Sequence, residues 1–192
     1  MSEKHSTHKV ALMMAPGLEE IEGLTVADLL YRAGVSCEFI SVGEGLEVVS
    51  SHKVKIVCDQ HVDDVNFDDF DMIVLPGGIP GTPNLKACEK LMDGVKRFAE
   101  QEKPIGAICA APSILAELGL LKGRNATSNP AFMQVLEEHG ALTSEDNVVV
   151  DGPFITSRAM GTAIAFGIAI VARLCGTEEA VKLAQTILWI DA

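Results

Sequence analysis

Short, β-rich apolar runs alternate with longer amphipathic stretches along almost the whole chain. Val10-Ala-Leu-Met-Met14 has the length and aliphatic character of a buried strand. A turn at Pro16-Gly17 leads into a helical pattern from about Glu19 to Ala33, and Gly34 suits its C-terminal cap. Cys37 to Val42 reads as the second strand. Leu46 to Val57, where Val54 and Ile56 alternate with charged residues, predicts hairpin-like excursions. Met72-Ile-Val-Leu75 is a buried strand that stops at Pro76-Gly77-Gly78. A helix follows near Leu85 to Gln101, with Leu91, Met92, Val95, Phe98 and Ala99 on one face. The run from Ile105 to Ile108 then passes through Cys109 into another helix. Asn129-Pro130 supplies an N-cap and a first helical position for a helix to about His139. Val148–Val150 and Phe154–Thr156 bracket a turn at Asp151-Gly152-Pro153. The chain closes with a buried helix from Gly161 to Leu174 and a further helix capped at Thr177.

Strands that alternate with helices imply a mostly parallel sheet covered by helices on both faces. The predicted class is therefore α/β, a flavodoxin-like three-layer sandwich with its groove at the carboxyl ends of the strands. No linker or repeat divides it, so residues 9–192 are expected to form one domain after a flexible N-terminal segment, residues 1–8. Gly43-Glu-Gly45 is no dinucleotide fingerprint, and a P-loop pattern is missing.

Composition narrows the classes. Aromatic residues make up only 5% of the chain, so the core must be aliphatic. A formal charge of −12 repels phosphates and argues against nucleic-acid or anionic-membrane partners. The longest nonpolar stretch, about Ala159 to Ala172, falls below the roughly 18 residues of a membrane span and predicts a buried helix. Five cysteines, without a C-x-x-C pair or a Cys/His cluster, fit a reducing compartment and no metal site. Cys37, Cys58 and Cys175 read as inert core thiols, and Cys88 as opening a helix. The polar start carries no apolar export signal, so the expected location is the cytoplasm.

The chemistry centres on Cys109. A thiol at a strand-to-helix corner faces free N–H groups and the positive end of a helix, which favour the reactive thiolate. Gly106, Ala107, Ala110 and Ala111 leave room for a crowded turn, and Pro112 tolerates the first helical turn. The segment is built as a nucleophile elbow with cysteine in place of serine. Two other strand ends converge on the same edge. One brings Glu19, Glu20 and Glu22. The first two complement their helix N-terminus, whereas Glu22 stands one turn in and is placed to project towards the thiol. A desolvated carboxyl beside a thiolate is expected to stay protonated and to shuttle protons. The other end brings Gly77 and Gly78, whose backbone N–H groups, with that of Ala110, suit a developing oxyanion.

Gly17-Leu-Glu-Glu-Ile-Glu22, Val74-Leu-Pro-Gly-Gly-Ile-Pro-Gly81, Ala107-Ile-Cys-Ala-Ala-Pro112, and Thr156-Ser-Arg158 followed by Gly161-Thr162 together resemble the DJ-1/ThiJ/PfpI family, in its DJ-1-like branch. The likeness runs from about Lys9 to Leu188. It implies an oxidation-sensitive nucleophile at Cys109, a protonated partner at Glu22 and a backbone oxyanion site at Gly77, Gly78 and Ala110. It also implies a homodimer without a cofactor, in which Asp28 and Arg32, with Glu19 and Arg158, support the site and interface. This chain departs from the family pattern at Asn129, where a histidine is frequent. Asparagine can hold a substrate oxygen but is no base. Ala159-Met160 replaces a frequent Gly-Pro and reshapes the pocket rim, and His52 stands where animal relatives often carry an interface arginine.

The leading expectation is a glutathione-independent glyoxalase or deglycase acting on methylglyoxal, glyoxal or their early protein adducts. The alternative is an oxidative-stress sensor or redox-regulated chaperone working through oxidation of Cys109. The same residues serve both. A cysteine peptidase fits less well: peptidase relatives place a histidine directly after the nucleophile, where this chain has Ala110. His139, the histidine that follows Cys109, sits in an acidic helix.

Overall fold

A computed structural model describes residues 7–189, so the first six residues of the segment expected to be flexible lie outside it. The strands are β1 (Lys9–Met14), β2 (Ser36–Ser41), β3 (Glu47–Val49), β4 (Lys55–Val57), β5 (Gln60–His61), β6 (Met72–Leu75), β7 (Ile105–Ile108), β8 (Asn125–Ala126), β9 (Leu142–Thr143), β10 (Val148–Asp151) and β11 (Phe154–Ser157). The α-helices are α1 (Glu20–Arg32), α2 (Gly81–Ala87), α3 (Glu89–Glu100), α4 (Pro112–Glu117), α5 (Met133–Glu138), α6 (Ala163–Cys175) and α7 (Thr177–Thr186).

The main sheet has the order β10-β11-β7-β6-β1-β2-β5 and is parallel except for β10 on β11. Because successive strand residues point to opposite faces, β1 feeds two cores. Val10, Leu12 and Met14 pack with α1, α6 and α7, whereas Ala11 and Met13 pack with α2, α3, α4 and α5. This is the flavodoxin-like α/β sandwich the alternation predicted. Phe98 on one side and Phe166 on the other are fully buried among aliphatic neighbours. Replacing Ile170, fully buried in α6, with valine is expected to cost about 1 kcal/mol. Thermal unfolding should show it as a midpoint lowered by roughly 2–4 °C.

Local rules account for most boundaries. At the end of α1, Gly34 takes the left-handed conformation (φ 72°). Its N–H donates to the Tyr31 carbonyl and that of Val35 to the Leu30 carbonyl, a Schellman closure. Three boundaries differ from expectation. The single helix predicted from Leu85 to Gln101 is two, because Cys88 adopts an extended conformation (φ −83°, ψ 98°) that ends α2 and caps α3. The predicted Asn129–His139 helix starts with a 3-10 turn, Pro130–Phe132, before α5. Gly176, not Thr177, precedes the first residue of α7. Of the cysteines read as core, Cys58 is buried while Cys37 and Cys175 are partly exposed.

Candidate active site

The sheet order reverses between β1 and β6, since β1 runs on to β2 on one side while β6 and β7 lie on the other. A crevice at the carboxyl ends of the strands is expected at such a switch point. There the first turn of α1 delivers Glu22, the loop after β6 delivers Gly77 and Gly78, and the end of β7 delivers Cys109. Segments far apart in sequence thus meet at one edge.

Cys109 has φ 65°, a left-handed conformation that is costly for a residue with a side chain. Backbone hydrogen bonds hold it: its N–H donates to the Ser157 carbonyl (3.0 Å), and its carbonyl accepts from the Asn129 N–H (2.9 Å). Ser113, in α4, donates its hydroxyl to the Ala110 carbonyl (2.7 Å) and so fixes the next peptide of the corner. The sulfur lies among backbone N–H groups of Ala110 and Gly78, and the Asn129 side-chain amide donates to it at 3.8 Å.

Glu22 is 1% exposed. Its Oε2 accepts the Gly77 N–H (2.9 Å), its other oxygen is buried without a conventional donor, and its carboxyl interacts directly with the Cys109 sulfur. Gly77 is obligatory here. A β-carbon on it would lie 2.6 Å from the Cys109 Cβ and 2.7 Å from Glu22 Oε2. Gly78 follows at φ 95°.

Electrostatics corrects one expectation. The corner was expected to favour the thiolate through a helix N-terminus. Instead α4 is six residues long and begins only at Pro112. Burial pushes the Cys109 thiol up to about 12, and the adjacent Glu22 charge adds to the rise. The N–H groups of Ala110 and Gly78 oppose this without overcoming it. Burial likewise raises Glu22 to about 7, against the contacts with Cys109 and Gly77 and helped by the nearby Glu19 charge. The two groups cannot both ionise at this spacing, so the pair keeps a proton between them at neutral pH. With that proton on Glu22, the carboxylate's contribution to the thiol vanishes and the N–H donors act on the sulfur unopposed by a neighbouring charge.

The other expected residues take different places. Gly77 does not offer its N–H to an oxyanion, because Glu22 consumes it; Gly78 and Ala110 remain as donors. Glu19 caps α1, accepting the Ile21 N–H (3.4 Å). Asp28 and Arg32 pair with each other at 2.7 Å on the exposed side of α1. Arg32 lies ten residues beyond Glu22, about 15 Å along the helix, well away from the sulfur. Arg158 directs a guanidinium N–H to the Glu145 carbonyl (2.9 Å). Ser113 went unnoticed in the sequence because its hydroxyl acts on a backbone carbonyl, and Ser157, though part of the Thr156-Ser-Arg158 motif, holds Cys109 through its own carbonyl, a contact that residue type does not reveal. His52, on the β3–β4 turn, sits 3.1 Å from Glu20 and 3.6 Å from Glu19. The three bring ligand-type atoms within 4.8 Å of one another, a grouping that sequence spacing did not reveal.

A parallel sandwich with a strained cysteine corner facing a buried carboxyl defines an α/β protein of the cysteine-elbow class. The DJ-1/PfpI family model matches residues 8–173, and the chain belongs to that family. It is 42% identical over 183 residues to Protein DJ-1 homolog A of Arabidopsis thaliana, covering 95% of this chain but 46% of that protein. The chain thus spans about half the length of that plant relative. It is 34% identical to the glutathione-independent glyoxalase DJR-1.2 of Caenorhabditis elegans, covering 95% of this chain and 97% of that one. The solved structure of oxidised Toxoplasma gondii DJ-1 superposes with a TM-score of 0.90 at 32% identity, covering 95% and 98% of the two chains. Among the described residues no helix is long and apolar enough to cross a membrane.

Proposed function

We propose that the protein is a cofactor-free, cysteine-dependent glyoxalase that converts methylglyoxal or glyoxal to the hydroxy acid without glutathione, with early glycation adducts as related substrates. The observation that carries this reading is the direct contact between the buried Glu22 carboxyl and the Cys109 sulfur, beside the Gly78 and Ala110 N–H groups. The glyoxalase name of the nematode relative supports it.

In this scheme Glu22 takes the Cys109 proton as the sulfur adds to the aldehyde carbon and then gives it to the resulting alkoxide, forming a hemithioacetal. The Glu22 carboxylate then removes the hydrogen from that carbon. An enediolate forms, its negative oxygen held by the N–H donors. Glu22 returns the proton to the neighbouring carbon while the hydroxyl proton moves between the two oxygens. The product is a thioester of lactate, with no net change in protons. Water cleaves it, releasing lactate and the free thiol. The exposed Tyr31 and Val57, which with Ala27, Phe39 and Asp59 line one surface pocket, support a homodimer.

Purified protein with methylglyoxal and no glutathione should form lactate, and Cys109→Ser should form none. Failure of wild-type protein with a reduced Cys109 to make lactate overturns the reading. A second reading, a redox sensor, draws support from the oxidised state of the Toxoplasma relative and from the donors around the sulfur, which suit a sulfinate. Peroxide would then add two oxygens to Cys109 in a protein that turns over no aldehyde.

A further inference from the structure

Asn129 touches the corner from two sides. Its backbone N–H donates to the Cys109 carbonyl at 2.9 Å, and its side chain reaches the sulfur at 3.8 Å. Its amide has one usable orientation. The Oδ1 atom accepts the Ala131 N–H at 3.0 Å as the cap of the following turn. A flipped amide would set NH₂ against that N–H, so the cap keeps the amide nitrogen, and one of its N–H bonds, on the Cys109 side. The other neighbours of the sulfur are the N–H groups of Ala110 and Gly78, which carry no charge, and Glu22 from α1, the titrating group that faces it.

We propose that Asn129 is a positioning residue that clamps the Cys109 corner, its cap-locked amide donating to the sulfur when the sulfur is an anion and its backbone N–H holding the strained peptide. Asn129 then serves the sulfur rather than a substrate oxygen, and Glu22 is left as the proton carrier of the site. The inference rests on the aldehyde reading only in taking Cys109 as the reacting group. A fixed N–H donor lowers the free energy of the anion without titrating itself, and a hydrogen bond to a charged acceptor is roughly twice as strong as a neutral one.

Asn129→Ser and Asn129→Asp test this, because serine and aspartate both cap helices well and both retain the backbone N–H. A merely structural cap would therefore survive in either variant. The measurement is the rate of Cys109 alkylation by iodoacetamide at pH 8, read on the Cys109 peptide by mass spectrometry, with thermal unfolding alongside. Asn129→Ser should slow labelling about tenfold through loss of the amide donor. Asn129→Asp should slow it further, because a carboxylate replaces the amide next to sulfur. Both should unfold close to wild type. If Asn129→Asp fails to fold, Asn129→Ser decides alone. Labelling rates in both variants that equal or exceed the wild-type rate overturn the clamp. Slowed labelling in the Asn129 variants, together with a wild-type protein that forms no lactate, overturns the aldehyde reading and leaves the clamp standing.

Discussion

Glu22→Gln is expected to abolish lactate formation from methylglyoxal while making the folded protein more stable above pH 7. The amide keeps a carbonyl oxygen for the Gly77 N–H, so the local geometry has what it needs. It neither gives nor takes a proton, so the hydrogen transfer between carbons loses its carrier. The stability gain follows from linkage. Burial holds the folded carboxyl up at about 7 against an ordinary 4.5. Between those values the unfolded chain has already released a proton that the folded chain retains, so stability falls as pH rises through the window. Below about 4.5 both states are protonated and the effect disappears. The full difference, from 4.5 to about 7, corresponds to about 3 kcal/mol at pH 8. Denaturant unfolding at pH 5 and pH 8 checks the claim. The wild type should lose stability between the two, and Glu22→Gln should lose much less. Equal pH dependence in both proteins would show that the carboxyl is not the desolvated group described here.

Gly77→Ala is expected to destroy the site by crowding rather than by chemistry. Its new β-carbon would lie 2.6 Å from the Cys109 Cβ, 2.7 Å from Glu22 Oε2 and 2.9 Å from the Ile108 carbonyl oxygen. Two of these atoms belong to the backbone or sit next to it, so no side-chain rotation relieves the clash. Overpacking of this kind costs about 1–3 kcal/mol. Displacing the thiol or the carboxyl by about 1 Å is enough for a 100-fold loss of turnover. Gly45→Ala is the control, since nothing lies within 4 Å of its added carbon. Lactate formation and unfolding should be near wild type for Gly45→Ala and both impaired for Gly77→Ala. A fully active Gly77→Ala protein would mean that carboxyl and sulfur are not held this closely.

How much of this was readable in the sequence depended on how local the cause was. Met72–Leu75 and the Schellman end of α1 follow from a short apolar run and a glycine, both local signals. The break at Cys88 did not show, because the apolar pattern across Leu85 to Phe98 continues through it and only the backbone turn interrupts the helix. Cys109 and Glu22 could be picked out by residue type and placement at element ends. Their partners could not. Whether the Gly77 N–H serves an oxyanion or a carboxyl depends on a hydrogen bond across 55 residues. The pairing of His52 with Glu20 crosses 32. The sign of the thiol's shift was misjudged for the same reason, because helix position can be read locally whereas burial and a facing charge cannot.

The chain by itself determined the layered architecture, since residue periodicity and turn chemistry act over a few neighbours and dictate which faces must be buried. It also determined which side chains stand at the carboxyl ends of the strands. Only the tertiary structure decided which of them touch, because strand order, crossover and the strained backbone at Cys109 set distances between remote segments. Those distances govern desolvation and the sharing of a proton between Glu22 and Cys109, and so decide what the corner can do.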